Sequence, residues 1–322
     1  MPQTTRGRTV PRLLPIALPA AAVLAVSACG GGADSGGSGG SGDASGETRT
    51  VEHARGTTEV PADPQKVVVL EPVQLDTSVA LGTIPVGAAL FDEAAGVPDY
   101  LGEEAADVQG VGTVPEPNIE EIAALEPDLI IGTEARHSAL HDKLSDVAPT
   151  VFMETQTDPW QENVDLVASA LGKEDEAEEL LGDYEARCDE IAEKYGTEGS
   201  TAQLIRPRDD VLTLYGPTSF AGSTLECAGF TTPEHEWEDI SLDISPEKVL
   251  DAEADLVLVT ADDPSDPEAV PPSVRDNEDE FPELYTVEDS FWIAGVGPKG
   301  GMTVLDDLDR ILDESDAFEA SE

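Results

Sequence analysis

Two stretches far apart in the chain share one layout of polar and apolar positions. In the first, Asn118-Ile119-Glu120-Glu121-Ile122-Ala123-Ala124-Leu125-Glu126-Pro127 precedes the apolar run Leu129-Ile130-Ile131. Asn118 suits a helix N-cap, and Glu121 three residues on completes a capping-box pattern. Pro127 ends the short helix, and a buried strand starts at Leu129. In the second, Ser245 is placed as N-cap and Pro246 at the first helical position, and the run Leu256-Val257-Leu258-Val259 follows as a strand.

A further pair of segments precedes these. Residues 66–70 read as a buried strand, followed by a loop and a helix through Gly82. Val211–Tyr215 reads as a strand, and Gly216-Pro217-Thr218-Ser219-Phe220-Ala221-Gly222 leads into a helix through Ala228. Strand–helix alternation of this kind predicts parallel α/β units, and its repetition predicts two similar lobes, over residues 49–158 and 196–322. Between them, residues 159–195 place Val164, Val167, Leu171, Leu180, Tyr184 and Ile191 at helical spacing. That pattern predicts one long amphipathic helix, with Gly172 marking where it would break. Such a helix would join the lobes stiffly and allow only small hinge closure.

The start of the chain has a different character. Arg6, Arg8 and Arg12 precede an apolar stretch over 13–26 that is too short to span a bilayer comfortably. It ends in Val26-Ser27-Ala28-Cys29, which resembles the lipobox of bacterial lipoprotein precursors. That resemblance implies a signal over residues 1–29, with Cys29 lipidated and exposed as the new N-terminus. Residues 30–48 are rich in Gly and Ser and read as a flexible tether. The compartment expected is the outer face of a membrane, where disulfides are allowed. Cys188 and Cys227 are then the remaining cysteines; one bridge or two separate buried thiols are both open, because sequence gives no distance.

Charge narrows the function. The chain carries 68 Asp and Glu against 17 Lys and Arg, a formal net charge of -51. So acidic a surface repels nucleic-acid phosphates and anionic headgroups, which excludes a DNA or RNA binder. Many carboxylates with few lysines suit a halophilic or salt-tolerant source, but charge alone fixes no habitat and simple solubility explains it equally. A hydrophobic share of 39% still supports a core.

Taken in chain order, the motifs resemble a known family. They are the lipobox, the tether, Arg49-Thr50-Val51-Glu52-His53, Gly56-Thr57-Thr58-Glu59-Val60-Pro61, Pro64-Gln65-Lys66-Val67-Val68-Val69-Leu70 and the 118–131 block. After the long helix come Tyr215-Gly216-Pro217-Thr218-Ser219-Phe220-Ala221-Gly222 and Phe291-Trp292-Ile293-Ala294-Gly295-Val296-Gly297-Pro298. Over about residues 49–314 the chain is similar to iron-siderophore substrate-binding lipoproteins of ABC transporters, the helical-backbone (class III) periplasmic binding proteins, and most like actinobacterial members. The resemblance implies an α/β fold of two Rossmann-like lobes joined by one long α-helix, with a ferric siderophore in the cleft between them. It implies a monomer that delivers cargo to an ABC permease of the siderophore/cobalamin family, driven by its ATPase. No catalysis and no resident cofactor are expected; Fe(III)-siderophore is cargo. The same fold also serves haem and cobalamin.

A ferric siderophore supplies its own oxygens to the metal, so the protein needs aromatic walls and a few donors rather than metal ligands. Arginine suits the donor role, because its planar fork stays charged. Arg206 matches by position a ligand-contacting arginine of the family, and Arg208 two residues on is its substitute; a surface ion pair is the other use of either. Arg136 follows the strand ending at Ile131, and loops at the C-terminal ends of parallel strands face the cleft. Tyr215, Phe220 and Trp292 are the candidate aromatic walls, with core packing as the alternative. Glu120 and Glu247 occupy equivalent first-turn positions in the two repeats, and the resemblance gives each lobe one such carboxylate to dock on the permease. Acids also favour helix N-termini through the dipole alone. Few basic residues argue against a highly charged triscatecholate and favour a hydroxamate or mixed ligand.

Other readings fit less well. His137 and His141 have i, i+4 spacing, but no further His or Cys flanks them as a zinc site requires. Ser219 lies in a strand-to-helix turn without the Gly-x-Ser-x-Gly elbow of a hydrolase. Gly295-Val296-Gly297-Pro298 is too short for a dinucleotide loop. A surface sensor or adhesion lipoprotein on a retired binding fold is the remaining alternative.

Overall fold

The computed structural model describes residues 47–318 apart from 158, 238 and 267. The expected leader, Cys29 and the tether up to residue 46 lie outside the described residues. The described chain opens with an antiparallel hairpin, Thr48–His53 against Gly56–Pro61. The first lobe continues as a five-stranded sheet in the order Gln109–Thr113, Gly87–Leu90, Val67–Val69, Leu129–Thr133, Thr150–Met153. All its pairings are parallel. The central strands are buried along their whole length and rich in Val and Ile, as a sheet covered on both faces requires. The Asn118 side chain caps Ile119–Ala124, accepting from the backbone N–H of Glu120 at 3.1 Å and of Glu121 at 3.4 Å.

The second lobe differs from the expected parallel sheet. Its order is Ser241–Ile244, Val211–Tyr215, Ala202–Arg208, Leu256–Ala261, Leu284–Glu288, and only the last two pairings are parallel. The reason is local. Arg208 pairs with Val211, leaving only Asp209 and Asp210 to turn the chain, and Asp209 takes φ 39°. A two-residue turn makes an antiparallel hairpin, whereas a parallel crossover needs a dozen residues or more. The helix expected after Ser245 is a 3-10 turn, Pro246–Ala252, with Lys248 out of helical geometry and no side-chain cap from Ser245.

The single helix expected over 159–195 is two, Trp160–Leu171 and Glu174–Tyr195. Gly172 ends the first in the left-handed region at φ 72°, a common helix stop. Arg49 holds that corner by donating to the carbonyls of Ala62 and Ala170. The second helix has 22 residues and spans about 33 Å, enough to cross between lobes. At its start Lys173 donates to the Leu81 carbonyl of the first lobe; at its end Tyr195 donates to Asp309 of the C-terminal helix Pro298–Glu314. Trp160 meets Tyr184 edge-on at 5.1 Å and Phe220 at 5.6 Å, so one aromatic cluster joins both lobes to the connecting helix. Cys188 and Cys227 are disulfide-bonded, with Cα atoms 5.4 Å apart, which ties the connecting helix to Phe220–Cys227. The apolar core runs without interruption from one lobe to the other.

Candidate functional site

The C-terminal ends of parallel strands in both sheets face a cavity of about 650 Å³. From the first lobe, Pro72 and Leu75 come from the helix Pro72–Ala80 after the strand Val67–Val69, and Phe91 and Asp92 follow the strand Gly87–Leu90. From the second lobe, Arg206 lies two residues before the end of one strand, Asp262 follows the next, and Glu288 ends the third with Asp289 just past it. This is the position where open α/β sheets bind ligands, and the size suits a drug-sized molecule. A shallower cavity of about 400 Å³ adjoins it and shares Arg206, Asp262 and Asp289.

Arg206 lies in the cleft, half-buried, and its Nη2 donates to Asp289 Oδ2 at 3.0 Å. One of its five N–H donors is thereby used, leaving others to meet a ligand oxygen. Arg208 lines only the adjoining cavity, where its Nε donates to Thr213 Oγ1 at 3.0 Å and its Nη2 to Asp243 Oδ1 at 3.2 Å. Arg136 sits beside the cleft rather than in its lining, with Nε 3.1 Å from the buried carboxylate of Glu71. Burial raises the Glu71 carboxyl to about 7, against the opposing pull of Arg136 and Thr133.

The aromatic expectations are corrected. Trp292 is fully buried and its indole N–H donates to Asp307 Oδ2 at 2.8 Å, so it faces the core and not the cleft. Its neighbours Ser290, Ile293 and Ala294 line the cavity in its place. Phe220 packs on Trp160, and Tyr215 lies against the same core with its carbonyl accepting from Gln203; neither lines the cleft. The aromatic that does is Phe91, 56% exposed, together with Tyr100. The strand-end rule that selects Arg136 finds Phe91, Asp262 and Glu288 when it is applied to every strand.

Tyr100 links the cleft to an interlobe contact. Its hydroxyl bonds the fully buried Asp76 of the first lobe. Asp76 also accepts from the backbone N–H of Lys299 at 2.9 Å and of Gly300 at 2.8 Å, the first turn of the C-terminal helix. Gly297, at φ 141°, lets this approach happen: a Cβ there would collide with the Asp76 carboxylate. Burial raises Asp76 to about 7 although these donors favour its charged form. Burial and the nearby Asp76 push the Tyr100 phenol well up.

Glu120 and Glu247 are exposed, one on each lobe, in the first turns of Ile119–Ala124 and Pro246–Ala252. The two histidines serve packing: His137 bonds the Val114 carbonyl at 2.8 Å and the Thr133 N–H at 3.2 Å, and His141 stands edge-on to Phe152 at 4.9 Å.

A family model described as periplasmic binding protein matches residues 67–270. A probable siderophore-binding lipoprotein, YfiY of Bacillus subtilis, is 36% identical over 219 residues, covering 67% of this chain and 66% of that protein. The Fe(3+)-citrate-binding protein YfmC of the same organism is 31% identical over 226 residues, covering 68% of this chain and 70% of that protein. The crystal structure of Staphylococcus aureus SirA complexed with staphyloferrin B superposes with a TM-score of 0.70 at 29% identity, covering 83% of this chain and 99% of that one.

Proposed function

From a chain that belongs to the periplasmic binding protein family, we propose a substrate-binding protein that captures a ferric siderophore outside the cytoplasm and delivers it to an ABC importer for iron uptake. The family is one of binding proteins rather than enzymes, and the relatives named above carry siderophores or ferric citrate in their names. The observation that carries the reading is the interlobe cavity of about 650 Å³, built from strand ends of both sheets. No resident cofactor is proposed; iron enters and leaves as cargo within its chelator.

A hydroxamate or mixed ligand is favoured. Three hydroxamates neutralise Fe(III), so such a complex asks for donors to its oxygens but not for a ring of cations, and among the described residues Arg206 is the one arginine in the main cavity lining. Phe91 and Leu75 offer the organic scaffold an apolar surface. Arg206, Phe91 and Tyr100 are the proposed ligand contacts, with Arg136 and Arg208 flanking.

Handover is proposed to use Glu120 and Glu247 against basic residues of a permease of the siderophore/cobalamin family, with its ATPase supplying the energy. Charges on both lobes fix orientation as well as attraction. Lipidation at Cys29 and a monomeric state complete the proposal. The test is a titration of residues 47–322 with a panel of ferric siderophores, haemin and cobalamin, read by calorimetry. Saturable 1:1 binding of a ferric siderophore supports the reading. Response to haemin or cobalamin alone changes the cargo, and no response to any of them refutes transport.

A further inference from the structure

We propose that Asp76, Tyr100 and the first turn of the C-terminal helix form a clasp between the lobes that senses cargo: without cargo it opens transiently, and cargo resting on Tyr100 holds it shut. The siderophore reading above supplies the cargo, and the inference rests on it to that extent.

Three elements meet at the Asp76 carboxylate. Asp76 itself belongs to Pro72–Ala80 of the first lobe and is fully buried. The Tyr100 hydroxyl reaches it from the turn Asp99–Leu101. The backbone N–H groups of Lys299 and Gly300 reach it from the second lobe, at 2.9 and 2.8 Å. Both belong to the first turn of Pro298–Glu314, where a helix has no carbonyl of its own to offer. Asp76 is therefore what shields these two amides. Lys299 is engaged twice, because its Nζ also donates to Glu104 Oε1 of the first lobe at 2.9 Å, in a partly exposed pair.

Both halves of the clasp border the cavity. Leu75, the neighbour of Asp76, lines it together with Tyr100 and Leu101. Across from them Ile293 and Ala294 line it, and the turn that follows packs on the helix start so closely that a Cβ at Gly300 would collide with the Gly295 carbonyl. Parting the halves moves residues that cargo touches. Cargo then binds the shut form better than the open one, and such a difference in affinity is what shifts an equilibrium. Cargo over Tyr100 also keeps water from its hydrogen bond, which strengthens the bond.

The polarity of the clasp is what lets it open. A buried carboxylate sets its donors against the loss of its own hydration, and here burial has the larger influence on its protonation. An opened Asp76 regains water, so parting this contact requires less than parting an apolar one, and local opening occurs at such places.

The experiment follows hydrogen–deuterium exchange by mass spectrometry, with and without saturating probe, the probes being a linear ferric trihydroxamate and ferric citrate. Peptides over 298–303 report the clasp, and peptides over 304–314 report the rest of the same helix. Bound probe is expected to slow exchange at Lys299 and Gly300 about tenfold, and to change the rest of the helix by less than about twofold. Coupling of this kind is reciprocal, so Tyr100→Phe, which keeps the ring, and Asp76→Asn should each weaken probe affinity about 5–10-fold by calorimetry and shrink the local slowing. The control Asp309→Asn cuts the contacts of the same helix to Lys194 and Tyr195. It should lower the melting temperature and leave affinity unchanged.

A bound probe that leaves the Lys299 and Gly300 amides no better protected than the rest of the helix overturns the clasp. Variants at Asp76 and Tyr100 that melt lower yet bind with undiminished affinity per folded molecule make the contact a structural tie alone and also overturn it. An equal loss of affinity in Asp309→Asn assigns the effect to general stability and overturns it too. In each of these cases the siderophore reading stands, because a probe has bound. If no ferric siderophore binds, the proposed function fails first and the clasp falls with it.

Discussion

The first-lobe wall of the cleft presents Pro72, Leu75, Phe91 and Tyr100, whereas the second-lobe wall presents Arg206, Asp262, Glu288 and Asp289. Both walls occupy the same position in topology, the C-terminal ends of parallel strands. They differ in the residues just past each strand. In the first lobe the chain turns at once into an apolar helix start, and the Tyr100 hydroxyl is drawn inward by Asp76. In the second lobe the strands end near charged residues, and Arg206 pairs with Asp289 past the end of the strand Leu256–Ala261 that lies between them. One wall can hold an organic scaffold with little discrimination, and the other can choose by charge and hydrogen bonding. The two lobes are joined by the connecting helix, the aromatic cluster and the Asp76 contact.

The largest expected effect lies behind the charged wall. Trp292→Ala removes a fully buried ring and its bond to Asp307, and should destabilise the protein by about 3–5 kcal/mol. Thermal melts check this. Trp292→Phe should retain ligand affinity per folded molecule, which separates the core aromatic from the wall aromatic Phe91.

Next comes pH. Asp76 and Glu71 both stand at about 7 in the fold, above ordinary values of 3.8 and 4.5. Between about pH 4 and 7 the native state therefore holds protons that the unfolded chain has released. Stability from these groups is greatest below that window, falls as pH rises through it and is level above it. The fall should be on the order of 2–4 kcal/mol per group. Asp76→Asn should flatten roughly half of the slope in denaturant melts at constant high salt; an unchanged slope would show that the contact to the C-terminal helix does not titrate there.

The walls themselves are compared by binding. Arg206→Ala should weaken a ferric trihydroxamate about 10–100-fold, the range for lost bonds from a charged donor. Phe91→Ala should weaken it by about 5–10-fold, as expected for one half-exposed ring covered by ligand. If Phe91→Ala has the larger effect, the division between a holding wall and a choosing wall is wrong. Arg208→Ala should be the smallest, under about 0.5 kcal/mol in stability, because its partner Asp243 is half-exposed and the pair is screened.

Much of the fold is legible in the sequence because burial leaves a periodic trace. The runs at 67–69, 129–131 and 256–259 announce buried strands, and Asn118 announces its helix. The antiparallel turn at Asp209-Asp210 is not legible, because the pattern of its flanking strand suits either direction. Gly172 marks a break point in the helical pattern, and its left-handed backbone makes the break real. At the site, Arg206 is legible from the resemblance and the scarcity of arginine. Trp292 is not, because an aromatic beside a glycine-rich turn can face either side of its short helix; Ile293 and Ala294 take the cleft side. Phe91 gives little signal, because a single aromatic after the small strand Gly87–Leu90 has no periodic partner. The partner of Arg206, Asp289, lies 83 residues away, a pairing that only the fold reveals.

The central claim is that cargo sits between these two walls. It is tested most directly with a reporter on one wall and a lesion on the other. Trp160 and Trp292 are fully buried and Trp237 is half-buried, so in a Trp237→Phe background Phe91→Trp adds the exposed indole, at the cleft. Its red-shifted emission is then titrated with a ferric trihydroxamate, with and without Arg206→Ala. The account predicts saturable quenching of the new indole at 1:1 stoichiometry, shifted to about 10–100-fold higher ligand by the lesion. Calorimetric binding that leaves the residue 91 emission unquenched and is indifferent to Arg206→Ala would place the cargo elsewhere and contradict the account.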